Sequence, residues 1–159
     1  MKTPSQTVGP FYSIGLTRRS ENELVPAGDP AAIVLRGTLF DGDGAPIVDG
    51  MIEVWQPVER LWGRCGTHPA GEFTFVVSKP AAPAGEAPHL DVYVFARGLL
   101  KHQRTRVYFP DEADANAADP VLAGLDEADR ALLVAERDDG ALRFDIHMQG
   151  LHETVFFST

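Results

Sequence analysis

Apolar and polar residues alternate with a period of two along much of the chain from residue 32 onward, the pattern of strands with one buried face. Ile33-Val34-Leu35-Arg36-Gly37-Thr38-Leu39-Phe40 predicts a first strand, closed by the turn Asp41-Gly42-Asp43-Gly44, whose glycines tolerate positive φ. Further strands are expected over Met51–Trp55, Phe73–Val77, Leu90–Arg97 and Arg104–Phe109, with a Pro/Ala/Gly-rich loop from Ala81 to Pro88. Leu142-Arg143-Phe144-Asp145-Ile146-His147-Met148 alternates strictly, and His152–Phe157 follows it. The one helical stretch runs from Asp119 to Arg137, where Asp119-Pro120 offers a cap and a first-turn proline, and Asp126 can cap a second segment.

About seven short strands with turn signals between them predict an all-β sandwich, with a short helical insertion and no alternating helices to support a parallel sheet. Residues 1–31 read as an irregular N-terminal arm, broken by Pro4, Gly9, Pro10, Pro26, Gly28 and Pro30, with enough apolar residues to pack on something. A length of 159 residues suits a single domain over 1–159.

The formal charge of −9 argues against broad nucleic-acid binding, because phosphate backbones need a basic surface. Cys65 is the only cysteine, so no internal disulfide forms and the thiol reads as a spectator. The polar N-terminus lacks a signal-peptide core, and no stretch approaches the roughly 20 apolar residues of a membrane helix. A cytoplasmic protein with no membrane or nucleic-acid partner is expected.

Against that acidic background, Arg97-Gly98-Leu99-Leu100-Lys101-His102-Gln103-Arg104-Thr105-Arg106 stands out, with 4 of the 14 basic residues in ten positions and no acid among them. The run is either a solvated loop pairing with acids from elsewhere or a site that captures a carboxylate, for which the planar fork of Arg is suited. His89-Leu90-Asp91 has the H-x-D spacing of a two-histidine, one-carboxylate iron site, with His147 as a distant third ligand. Asp41-Gly42-Asp43-Gly44 starts like a calcium loop but lacks the downstream Glu, so a hairpin turn is expected. Trp55, Tyr108 and Phe109 are expected in the core.

Several segments in one order resemble the intradiol dioxygenases: Thr3-Pro4-Ser5-Gln6-Thr7-Val8-Gly9-Pro10-Phe11-Tyr12, Ile52-Glu53-Val54-Trp55-Gln56 and Arg104-Thr105-Arg106-Val107-Tyr108-Phe109. A finer likeness, carried by Ala87-Pro88-His89-Leu90, Phe95-Ala96-Arg97-Gly98, Arg143-Phe144-Asp145-Ile146 and Glu153-Thr154-Val155-Phe156-Phe157, is to the alpha chains of the family's two-chain members. The chain is shorter than the family pattern, with the regions after Leu16 and after Trp55-Gln56 compressed.

The resemblance implies a β-sandwich paired obligately with a homologous beta chain, which holds non-haem ferric iron through two Tyr and two His. The pair would open 3,4-dihydroxybenzoate (protocatechuate) with O2 between its adjacent hydroxyls. In this chain the family's H-x-H lead aligns with Ala87-Pro88-His89 and places Leu90 and Val92 at the ligand positions, residues 80–88 contain no Tyr, and Leu61-Trp62 stands where the other tyrosine belongs. The tyrosines present are Tyr12, Tyr93 and Tyr108, so no metal ligand and no catalytic residue is expected here. What the resemblance assigns to this chain is a wall of the substrate pocket: Thr7, Gly9, Pro10 and Arg97, with Arg97 on the substrate carboxylate. Two other readings stay open, a self-sufficient mononuclear iron oxygenase using His89, Asp91 and His147, and a non-catalytic binding module. A large exposed apolar surface is expected of the lone chain.

Overall fold

The computed structural model describes Thr3, Gln6, Thr7, Gly9 and residues 11–158. After a one-turn helix α1 (Tyr12–Gly15), six strands follow: β1 (Ile33–Phe40), β2 (Met51–Gln56), β3 (Leu61–Gly66), β4 (Glu72–Val77), β5 (His89–Phe95) and β6 (Gln103–Tyr108). Three short helices come next, α2 (Ala113–Ala118), α3 (Pro120–Ala123) and α4 (Glu127–Ala131), then strands β7 (Glu136–Asp138), β8 (Ala141–Arg143) and β9 (Ile146–His147). One sheet has the order β4-β1-β8-β7 with β9 also on β1, and the other the order β3-β2-β5-β6.

The expected sandwich follows from the burial alternation. Leu35, Leu39, Phe73, Phe75, Val77 and Ile146 from one sheet meet Ile52, Val54, Leu90, Val92, Val94 and Val107 from the other in a single core. At roughly 1.5–3 kcal/mol for each large apolar side chain fully buried, this layer is the main stabilising term. β1 is its spine, pairing antiparallel with β4 (Ile33↔Val77) and parallel with β8 (Leu35↔Leu142) and β9 (Leu39↔Ile146). Gly37 marks the tightest approach, since a Cβ there would lie 1.9 Å from the carbonyl oxygen of Phe144.

Four differences from the sequence expectation have physical causes. β3 lies outside the expected strands, because Leu61-Trp62-Gly63-Arg64-Cys65-Gly66 has two glycines and no alternation; pairing along β2 makes it a strand. The helix expected over 119–137 breaks into α3 and α4 and ends as strand, because the Tyr108 N–H donates to the Leu133 carbonyl (2.9 Å) and the Ala135 N–H to the Tyr108 carbonyl (3.0 Å). The expected strand over 142–148 splits because the Asp145 side chain, not a backbone carbonyl, accepts from the Thr38 N–H at 2.9 Å. Residues 152–157 form no strand but an isolated bridge, Arg104↔Phe157.

The predicted caps are present: Asp119 accepts from the N–H groups of Val121 and Leu122, and Asp126 from that of Asp129. Asp41 spends its carboxylate on the N–H groups of Asp43 (3.0 Å) and Ala45 (2.9 Å), so the segment is the expected turn. Among the described residues no helix is long and apolar enough to cross a membrane.

Candidate functional site

β5 ends at Phe95, and the chain turns through buried Ala96, exposed Arg97 and Gly98, which has φ +86°. The Arg97 Nε is paired with the carboxylate of Asp49, which immediately precedes Gly50 and β2. The Gly50 N–H donates to Thr67 Oγ1 at 2.8 Å, the Thr67 N–H donates to the Gly50 carbonyl at 3.0 Å, and the Tyr12 hydroxyl donates to that same carbonyl. Burial pushes the Tyr12 phenol above its ordinary pKa, so it remains a donor at neutral pH.

The N-terminal arm reaches the same corner. The Thr7 hydroxyl donates to the Ala96 carbonyl at 3.4 Å, one residue from Arg97. Gly9 has φ +75° and nothing within 4 Å of an added Cβ, so it is the left-handed backbone, not crowding, that favours glycine there. Pro10 lies outside the described residues. Thus Thr7 and Arg97 are brought together, beside a cleft of about 290 Å³ lined by Asp41, Pro46, Ile47, Val48, Asp49, Ala96 and Arg97, with the Asp41 carboxylate engaged by the N–H groups of its own turn. That size is near the lower end of the roughly 300–1,000 Å³ typical of small-molecule pockets. Phe11 and Ile14 of the arm are exposed (76% and 82%), as is Leu100 beyond Arg97 (67%).

Two further members of the basic run, Arg104 and Arg106, are paired within this chain. Arg104 bonds Asp91 at 2.8 Å, and Arg106 lies 2.7 Å from Glu86 and 3.6 Å from Asp91. Arg106 also donates to the Tyr108 hydroxyl (3.2 Å), which donates to Asp119 (3.2 Å). An acid-free stretch of sequence therefore becomes a charge-balanced sheet face, because β5 and the loop before it supply the acids. Arg97 is the member of the run that stands at a cleft.

The iron triad of His89, Asp91 and His147 is not assembled. His89 is buried with Nδ1 2.9 Å from the Ala87 carbonyl, Asp91 is engaged by Arg104, and His147 lies in the opposite sheet, stacked on Phe40 at 4.8 Å. Among the described residues no three His, Cys, Asp or Glu are grouped to hold a metal. Leu90 and Val92, aligned with the family's ligand positions, are buried in the core; β5 turns His89, Asp91 and Tyr93 to its other face, where two guanidinium groups already meet the Asp91 carboxylate. The Tyr108 hydroxyl is already occupied, accepting from Arg106 and donating to Asp119, and burial pushes its phenol up to about 12. The described residues do not fit a ferric centre. Cys65, its thiol also pushed up by burial, is chemically quiet.

No family model matches the chain. It is 41% identical to the protocatechuate 3,4-dioxygenase alpha chain of Burkholderia cepacia and 40% identical to that of Pseudomonas putida, in each case over 98% of this chain and 96% of the relative. The beta chain of the Burkholderia cepacia enzyme is 27% identical over 87% of this chain and 72% of the relative. The first alignment spans 190 positions against 159 residues here, so at least 31 positions have no counterpart in this chain, in keeping with its compressed loops. Among solved structures, the dioxygenase domain of a dioxygenase and carbohydrate-binding protein fusion from Streptomyces sp. SirexAA-E superposes with a TM-score of 0.65 at 23% identity, covering 93% of this chain and 98% of that one. An intradiol ring-cleavage dioxygenase from Tetranychus urticae gives 0.65 at 16% identity, covering 95% and 96%. These two show the shared fold, and the near full-length identity to both alpha chains shows that this chain belongs to the family of protocatechuate 3,4-dioxygenase alpha chains.

Proposed function

We propose that this chain is the iron-free alpha subunit of a cytoplasmic protocatechuate 3,4-dioxygenase, and that with a beta subunit it opens 3,4-dihydroxybenzoate with O2 to 3-carboxy-cis,cis-muconate. The observation that carries the reading is Arg97, an exposed guanidinium at a cleft beside the turn that Thr7 bonds, in a chain whose described donors do not fit ferric iron. The iron then belongs to the beta partner. This chain's part is to bind and orient: Arg97 takes the substrate carboxylate, and Thr7, Gly9 and Pro10 wall the ring. A guanidinium–carboxylate fork shielded by two chains contributes about 1.5–3 kcal/mol for each charge-assisted bond, and fixing the ring removes orientational freedom before the chemical step. Exposed Phe11, Ile14 and Leu16 support a covering partner, and a lone Cys65 suits a reducing compartment.

The test is to purify the chain alone and with its beta partner, and to measure iron content and protocatechuate-dependent oxygen uptake in both. Iron and uptake in the mixture alone support the reading, and Arg97→Ala should then raise KM roughly ten- to hundredfold with a smaller change in kcat. Iron and oxygenase activity in the isolated chain would overturn it. No gain on adding this chain to the beta subunit would leave a binding module instead.

A further inference from the structure

Arg97 is a long side chain on a turn, two-thirds exposed, and the next residue is a glycine in a left-handed conformation. An arginine so placed has many rotamers of similar energy, and a carboxylate arriving from solvent would have to order it. Asp49 also sits on a turn before a glycine, but its side chain is shorter and less exposed, and that glycine is held in place. Asp49 is attached to Gly50, whose N–H and carbonyl both bond Thr67 and whose carbonyl also accepts the Tyr12 hydroxyl. An added Cβ at Gly50 would lie 2.4 Å from Leu39 Cδ2, so the mount is packed as well as bonded. The two side chains approach most closely at the Nε of Arg97, one of the five N–H groups that a guanidinium offers.

We propose that Asp49 is a positioning residue for substrate recognition: it holds Arg97 by its Nε edge and leaves the terminal Nη1 and Nη2 pair as a preformed fork for the carboxylate of an aromatic acid. The inference rests on the reading of Arg97 given above. The opposite role, in which Asp49 competes with the substrate for the guanidinium, predicts the opposite sign. A competitor weakens binding and its removal lowers KM, whereas a mount saves rotamer entropy and its removal raises KM.

The experiment is steady-state oxygen uptake with protocatechuate, using assembled two-chain enzyme with Asp49→Ala, Asp49→Asn, Arg97→Ala and the Asp49/Arg97 double alanine variant. Asp49→Ala should raise KM about two- to twelvefold, the equivalent of one immobilised side chain, and change kcat less. Asp49→Asn keeps an oxygen able to accept from Nε and should stay within about twofold of the parent. In the Arg97→Ala background Asp49→Ala should add nothing. If Asp49→Ala does not assemble, Asp49→Glu, which displaces the carboxylate by one methylene, should show the same rise. An unchanged or lowered KM for Asp49→Ala, in an enzyme whose KM responds to Arg97→Ala, overturns the positioning role and leaves the Arg97 reading standing. An equal rise in both backgrounds also overturns it, as the mark of a merely structural residue. A KM indifferent to Arg97→Ala brings down the reading of the site and this inference together.

Discussion

Replacing Asp119 by alanine should cost far more than a helix cap usually does. Its side chain is buried and joins three parts of the fold. One oxygen accepts from Val121 N–H (2.8 Å), Leu122 N–H (3.0 Å) and the Tyr108 hydroxyl (3.2 Å), and the other accepts from Ala87 N–H (2.8 Å), just before β5. Loss of the cap alone costs about 0.5–2 kcal/mol. The variant also leaves the Ala87 N–H and the Tyr108 hydroxyl buried without this acceptor, at about 1–3 kcal/mol each. Because these bonds share one carboxylate the terms are not additive, and about 3–5 kcal/mol is expected. In a chain of 159 residues that lowers Tm by about 6–20 °C. Asp119→Asn, which keeps one acceptor oxygen, should lose about 2–8 °C. Thermal denaturation followed by circular dichroism at neutral pH, with urea titration as a second measure, gives both numbers. A Tm for Asp119→Ala within about 3 °C of the parent, or an asparagine variant as damaged as the alanine, would refute the account of Asp119 as a shared acceptor.

Burial holds the His89 imidazole below its ordinary pKa of 6.5, so the unfolded chain takes up a proton that the folded chain resists. Stability from this source is intact above about pH 6.5 and falls as pH drops below it, and His89→Gln should flatten the decline of Tm between about pH 7 and 5; an unchanged slope would contradict this. Gly37→Ala should lose about 3 kcal/mol or more, because its Cβ meets the backbone of Phe144, whereas Gly44→Ala, with φ +78° and open space around it, should lose only about 1–2 kcal/mol; chemical denaturation ranks the two. Phe75→Ala, at the centre of the core, should cost about 3–5 kcal/mol by the same measurement, and a loss under about 1 kcal/mol would mean that the two sheets do not pack through it.

Where a strand buries one face and local sequence decides the rest, it was legible: β1 is Ile33–Phe40 as the alternation predicts, and the cap at Asp119-Pro120 reads directly from two residues. Elements that depend on pairing with another segment, rather than on a pattern of their own, were not. β3 owes its form to β2, and the end of the expected helix is claimed by Tyr108 of β6. The same division applies at the candidate site. Arg97 and Thr7 stand in recognisable motifs, but Asp49 sits in an unremarkable turn, and only folding sets it against Arg97. The acids that balance Arg104 and Arg106 were equally invisible, since Asp91 and Glu86 reach them across strands rather than along the chain.

The parallel seam along β1 carries a kinetic consequence. Leu35 meets Leu142, and Leu39 meets Ile146, so one whole side of this central strand waits for residues more than a hundred positions downstream. Loop closure over such a span adds little free energy, only about 0.6 kcal/mol for each doubling of length, but non-local pairings of this kind are slow to find. Until they form, β1 presents a row of unpaired backbone groups, the kind of open edge on which a second copy can add a strand. The strand that organises the finished sandwich is therefore also the place where an incompletely folded chain is most exposed to aggregation.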